Sequence, residues 1–177
     1  RGARVRGLRA NGDLPRHTDG RYIDAPTAAD LHAAALAEFP ACDVLVRAAA
    51  VADFRPGQAR EGKIDKGAEG RLALDLEPTA DIVSDLAARR AGQVIVGFAA
   101  EHGAAGLARA RDKRRRKHLD LIVHNDVSVE GIGFGSAENE ITIVGDDWEE
   151  ALPRMSKDAC ADRILAAVVP LLNGRPT

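Results

Sequence analysis

A chain of 177 residues with 45% apolar side chains, 29% charged ones and a net charge of -2 has the makeup of an ordinary soluble globular protein, which excludes a disordered tail and a nucleic-acid binder acting through bulk charge. The length suits one domain with one substantial core; aromatic residues make up only 3%, so Leu, Val, Ile and Ala must fill it. Apolar runs stay short of the roughly 18 residues that a membrane span needs, and no secretory apolar segment opens the chain.

Val5 to Leu8 reads as a short strand interrupted by charge, followed by a loop with Asn11, Gly12 and Pro15. Tyr22 and Ile23 make a second short strand. Thr27-Ala28-Ala29-Asp30 then has the Thr-x-x-acid form that opens a helix, predicted near 28–38 with Leu31, Ala35 and Leu36 on one face. With the strand that begins at Val44, these elements form one right-handed β-α-β crossover, which makes the sheet parallel.

Val44, Leu45 and Val46 followed by Ala48, Ala49 and Ala50 have the β-branched, non-alternating character of a central parallel strand covered on both faces. Ligands collect outside the carboxyl ends of such strands, where small residues allow close approach to the backbone. Asp53 stands at that end. Lys63 and Lys66 follow in a segment whose Pro56, Gly57 and Gly62 describe either a mobile loop over a site or an ordinary solvated loop. An acid on the sheet edge with lysines on a cover suits a substrate bearing hydroxyl or amino groups at one end and phosphates at the other.

Arg71 to Leu76 alternates with Leu72, Leu74 and Leu76 on one side, a half-exposed strand. Pro78-Thr79 starts a helix at 80–91 with Asp81 in its first turn, where an acid can serve as dipole partner or the free N–H groups can bind an anion. Val94 to Ala99 is a second apolar strand ending in small residues. The helix after it, about 104–118, finishes Lys113-Arg114-Arg115-Arg116-Lys117. That run reads as a solvated face, a nucleic-acid patch or a triphosphate contact, since Lys113 and Lys117 share one face at i, i+4; Arg114 to Arg116 read as surface. Leu121 to Val123 is a third core strand leading to the turn pair Asn125-Asp126. GIGFG at 131–135 precedes the strand Ile141 to Val144, so it cannot be a dinucleotide fingerprint, which links a strand to a following helix. Ser156 caps the last helix, whose Ile164, Leu165, Val168, Leu171 and Leu172 seal the sheet. The whole is an α/β chain with a three-layer, Rossmann-like, mostly parallel sheet and helices on both faces. Cys42 and Cys160 lack CxxC or Cys/His spacing and read as reduced, partly buried thiols of a cytosolic protein.

Five blocks occur in order: AAAVADFRP at 48–56 with KIDK from Lys63, ADIV at 80–83, VGFAAE at 96–101, ARDKRRRKHLDLIVHNDVS at 110–128 and GFGSAENEITIV at 133–144. In these the chain resembles the phosphopantothenate-cysteine ligase family, in many bacteria the C-terminal half of a bifunctional coenzyme A biosynthesis protein. The resemblance implies a cytoplasmic, homodimeric enzyme in which the 4'-phosphopantothenate carboxylate attacks the α-phosphate of CTP, giving an acyl-cytidylate that the L-cysteine amine then converts to 4'-phosphopantothenoylcysteine. It implies Mg²⁺ held mainly by phosphate oxygens, with lysines offsetting charge on the transferring group. It assigns Lys63 to catalysis at the reacting phosphate, and Ala49, Ala50, Asp53, Ala80, Asp81, Ile82, Val83, Phe98, Lys113 and Lys117 to the nucleotide.

Departures are Asp65 in the lysine loop, Ala80 where the family has Pro, and His124 where family members commonly have Ala; His124 is read as locally structural in preference to a metal ligand. The resemblance implies a domain that begins with a strand and a glycine-rich turn, so residues 1–177 read as a single CTP-binding ligase domain lacking both, and the opening at Arg1 without Met reads as a fragment of a longer protein. FMN would belong only to the decarboxylase half, which these residues do not include, and the chain alone is expected to be a poor catalyst. The rival readings are a catalytically incomplete nucleotide-binding fragment, an NAD(P)-dependent oxidoreductase, which should show GxGxxG after its first strand, and a nucleic-acid module using the basic helix.

Overall fold

The computed structural model describes residues 2–10, 20–58, 62, 72–103, 105–129 and 135–174. In chain order the elements are β1 (Arg6–Arg9), β2 (Arg21–Asp24), α1 (Ala28–Glu38), a 3-10 turn (Phe39–Ala41), β3 (Val44–Arg47), β4 (Phe54–Pro56), β5 (Leu76–Pro78), α2 (Ile82–Ala88), β6 (Val94–Glu101), α3 (Gly106–Arg116), β7 (Leu121–Asp126), β8 (Glu138–Val144), β9 (Glu149–Ser156) and α4 (Lys157–Asn173). They divide into two compact units, Arg1–Ala37 with Ala49–Ile82, and Glu38–Ala48 with Val83–Thr177.

In the first unit β1 and β2 pair in parallel, and β4 and β5 pair antiparallel. The predicted start of α1 is realised as a capping box. Thr27 Oγ1 accepts from the Asp30 N–H at 3.1 Å, and Asp30 Oδ2 accepts from the Thr27 N–H at 3.2 Å, so two otherwise orphaned donors are satisfied reciprocally. Leu31 and Ala35 are buried as expected. The expected crossover from β2 through α1 into the sheet of β3 does not occur: β2 pairs with β1 in a separate two-stranded sheet. The alternating leucines also depart from expectation. Residues 72–75 are not strand, and Leu72, Leu74 and Leu76 are 50–59% exposed, because period two describes alternation of side chains without fixing what covers either face.

The second unit holds a five-stranded sheet in the order β3-β6-β7-β8-β9. β3, β6 and β7 are parallel, β8 runs against β7, and β9 against β8, so four strands point one way. Alternation along β6 and β7 sorts their side chains onto two faces. Val94, Val96, Leu121 and Val123 join Ile141, Ile143 and Leu152 in a cluster with Cys160, Ile164 and Val168 of α4. The opposite face, with Gly97, Ile122 and His124, receives Leu119 and the start of α3. At Gly97 a Cβ would lie 2.6 Å from Leu119 Cδ1, so glycine is what lets that segment lie close to the sheet. Helices on both faces of a mostly parallel sheet are the three layers expected from the sequence.

Three details differ from the sequence reading. β3 ends at Arg47 and lies at one end of the sheet order, with Val46 46% exposed and Ala48 to Ala50 outside any strand; among the described residues it pairs with β6 alone, which does not give it a central strand's cover. β9 was not expected, since Pro153 interrupts its pattern, but proline is tolerated at a sheet edge where a missing N–H removes no ladder bond. In α4, Leu165 is 40% exposed and takes no part in sealing the sheet. The Ser156 cap is present, its Oγ accepting from the Ala159 N–H at 3.1 Å.

Candidate functional site

In the first unit the backbone joins two of the predicted segments. The Thr79 N–H donates to the Asp53 carbonyl at 2.9 Å, and Thr79 Oγ1 donates to the Ala52 carbonyl at 2.6 Å. The β4–β5 ladder, with Phe54 opposite Pro78, extends the connection. Asp53 and the Ala80-Asp81 turn are therefore neighbours through a fixed backbone frame. Asp53, Ala80 and Asp81 are exposed, as are Ala49 and Ala50. Asp81 directly precedes α2, which at seven residues is shorter than expected; its Ile82 and Val83 are buried, at 4% and 2% exposed. Lys63 and Lys66 lie outside the described residues.

In the second unit two further predicted residues meet in the carboxyl half of β6. Lys113 Nζ donates to the Phe98 carbonyl at 3.0 Å, which ties α3 to the carboxyl half of β6. Phe98 is half-buried. Lys117 is the C-cap of α3, one turn beyond Lys113, as i, i+4 spacing requires.

Arg114, expected at the surface, is 8% exposed. Its Nη1 donates to the Leu119 carbonyl at 3.0 Å and to the Asp120 carbonyl at 3.5 Å, and Nη2 reaches the Asp146 carboxylate. The helix ends in a Schellman pattern: the Leu119 N–H returns to the Arg114 carbonyl at 3.0 Å and the His118 N–H to the Arg115 carbonyl at 3.2 Å, with His118 at φ 51° in the left-handed position usually given to glycine. Asp120 then binds the Ile95 N–H at 2.7 Å and Arg90 at 3.1 Å. These bonds fix where the lysine-bearing helix returns to β7.

At the far ends of β6 and β7, Asp126 accepts from the Ser128 N–H at 2.9 Å, the Ser128 hydroxyl at 2.6 Å and the Gly103 N–H at 3.1 Å. Those bonds hold its carboxyl well below the usual range, at about 2, so it stays charged near neutrality. The Asp-x-Ser spacing was the available signal. Glu101 pairs with Arg109 at 2.8 Å. A separate cleft of about 320 Å³ lies between α3 and the β8–β9 turn, lined by Arg111, Arg114, Arg115, Asp146, Trp148 and Glu149 among others. It contains none of the predicted site residues, and its arginines already pair with Glu149, Asp146 and Asp112, leaving little net field for an anion. Among the described residues no group of three or more His, Cys, Asp or Glu could hold a metal ion, and no helix is long and apolar enough to cross a membrane. Cys42 and Cys160 are not joined in a disulfide, and burial pushes the pKa of the Cys160 thiol upward.

Fold and site together define an α/β protein of the three-layer, mostly parallel class, with a lysine-bearing helix tied to β6. The chain belongs to the family of DNA/pantothenate metabolism flavoprotein C-terminal domains, whose model matches residues 1–171. It is 39% identical over 151 residues to the coenzyme A biosynthesis bifunctional protein CoaBC of Bacillus subtilis (strain 168), a match covering 85% of this chain and 37% of that relative. The chain thus spans well under half the length of that relative. Among solved structures, the C-terminal domain of a coenzyme A biosynthesis bifunctional protein CoaBC superposes with a TM-score of 0.79 at 28% identity, covering 98% of this chain and 79% of that one. A Cab2 mutant in complex with phosphopantothenate-cysteine shares the fold, with a TM-score of 0.69 at 15% identity over 88% of this chain and 55% of that one.

Proposed function

We propose that this chain is the ligase part of a coenzyme A biosynthesis protein, and that it joins 4'-phosphopantothenate to L-cysteine at the expense of CTP. In the first step a carboxylate oxygen attacks the α-phosphate, the bond to the β-phosphate oxygen breaks, and pyrophosphate leaves. In the second the cysteine amine attacks the acyl carbon, CMP departs with the oxygen, and the amine proton is lost to give the amide. Both steps concentrate negative charge, so fixed cations accelerate them by acting where charge develops. Lys113 and Lys117 hold the triphosphate. Asp53, Ala49, Ala50 and the backbone of Ala80 to Val83 contact the nucleotide, as does Phe98, and Lys63 serves at the reacting phosphate. Mg²⁺ would be held mainly by phosphate oxygens of the substrate, given its preference for substrate phosphates over all-protein cages, and would supply charge neutralisation. The enzyme is homodimeric and cytoplasmic in this reading.

The observation that carries the proposal is the Lys113–Phe98 bond at 3.0 Å, which unites two residues that the family resemblance assigns to the nucleotide from separate sequence blocks. Support comes from the names of the relatives and from the phosphopantothenate-cysteine bound to a protein of the same fold. The test is calorimetric titration of the intact chain with CTP and ATP in the presence of Mg²⁺. Selective uptake of CTP is expected; equal affinity for both nucleotides would defeat the assignment.

A further inference from the structure

His124 is 8% exposed, and its Nε2 has no hydrogen-bond partner among the described residues. It faces the first residue of α3. A Cβ on Gly106 would lie 2.8 Å from Nε2 and 2.9 Å from Glu101 Cβ, so the helix begins against the imidazole only because that position is glycine. Three charged groups face the ring: Asp126 on its own strand β7, Glu101 on β6 and Arg109 on α3. The two carboxylates are already engaged, Glu101 by Arg109 at 2.8 Å and Asp126 by Gly103 and Ser128. An imidazolium here would be buried at the positive end of a helix with no acceptor for its new N–H, and both effects oppose it.

We propose that His124 and Gly106 form a proton-sensitive seat for the start of α3, so that protonating His124 loosens the helix and weakens the hold of Lys113 and Lys117 on a nucleoside triphosphate. This rests on the nucleotide reading given above. His124 is a positioning residue: it acts through α3, which Lys113 ties to Phe98 at 3.0 Å. Burial, opposed by Asp126 and Glu101 and aided by Arg109, moves its pKa below the ordinary 6.5. A group whose folded pKa is depressed in this way contributes stability that is fully present above about 6.5 and is lost as pH falls through its folded value. Loss of triphosphate affinity follows the same direction.

The test compares CTP affinity at pH 7.5 and pH 5.5 in the wild-type chain and in His124→Gln, which keeps a polar group of similar reach and cannot titrate. Protonation of CTP affects both proteins equally. One proton changes an equilibrium by at most about tenfold per pH unit, so the wild type should lose roughly 3- to 10-fold more affinity than the variant. Matched pH profiles in two proteins that both bind CTP would overturn the proposal alone. Absence of CTP binding by the wild type at either pH would overturn the nucleotide reading and the proposal with it. A second arm tests the contact itself. Gly106→Ala should weaken CTP binding at pH 7.5, and adding His124→Ala should recover part of that loss, since the contact with Glu101 Cβ stays; a well-folded pair with no recovery at all would contradict the seat. Should Gly106→Ala alone not fold, recovery of folding in the pair is the supporting outcome.

Discussion

Arg114 stands second in a run of five basic residues, and its removal should destabilise the protein far more than its place in that run implies. In Arg114→Met the apolar stem is retained and the guanidinium is lost, which removes the 3.0 Å bond to the Leu119 carbonyl and the longer contact with the Asp120 carbonyl. A hydrogen bond from a charged group is worth about 1.5–3 kcal/mol, and leaving a buried acceptor unsatisfied lies at the costly end. The 3.5 Å contact adds little. Asp146, the ionic partner, is 93% exposed in its side chain, and pairs with an exposed member contribute about 0–1 kcal/mol. The expected losses are therefore about 2–3 kcal/mol for Arg114→Met and below about 1 kcal/mol for Asp146→Ala, read from urea unfolding midpoints at constant slope. If Asp146→Ala cost as much as Arg114→Met, the arginine would be held by its ion pair, and the reasoning from buried carbonyls would be wrong.

Lys113→Gln should weaken CTP binding by roughly 10- to 150-fold, the equivalent of one charged hydrogen bond, whereas Lys63→Gln should slow acyl-cytidylate formation at saturating CTP and leave affinity nearly intact; equal affinity losses in the two would make Lys63 a binding element. At His118 the left-handed φ costs a non-glycine residue about 1–2 kcal/mol, partly offset by glycine's greater freedom when unfolded, about 0.4–1 kcal/mol. His118→Gly should thus raise the unfolding free energy by about 0.5–1 kcal/mol, and a fall would show that the histidine side chain contributes more than its backbone costs. Ser156→Ala removes the bond to the Ala159 N–H at 3.1 Å and should cost about 1 kcal/mol, measurable by the same denaturant titration.

What could be read from the sequence was mostly what local chemistry determines. Thr27 and Asp30 announce the start of α1 because the two groups that satisfy each other are three residues apart, and Ser156 announces α4 for the same reason. Val94 to Ala99 reads as strand because residues covered on both faces leave a continuous apolar run. Position in the sheet is a different matter. The same apolar signature at Val44 to Val46 belongs to a strand paired on one side, because hydrophobicity reports which faces are covered and says nothing about how many neighbours supply hydrogen bonds. Leu72, Leu74 and Leu76 show the converse, a period-two pattern with its apolar side exposed.

The candidate site divides along the same line. Lys113 and Lys117 could be placed together because one helix carries both, and the bond from Lys113 to Phe98 joins residues whose blocks a family resemblance had already set side by side. Arg114 was indistinguishable from Arg115 and Arg116 in composition, yet the helix turns it inward by about 100° from each neighbour, toward carbonyls that only the Schellman turn at His118 brings within reach. His124 and Gly106 are separated by a helix and a turn, and their contact exists because β7 returns beside β6 in the register that sets Ala99 opposite His124. A lone histidine therefore read only as locally structural in the sequence, without a partner to say what it supports. Its meaning depends on a glycine inside the predicted helix 104–118 that no motif singles out, and exchanging either one should reveal the other.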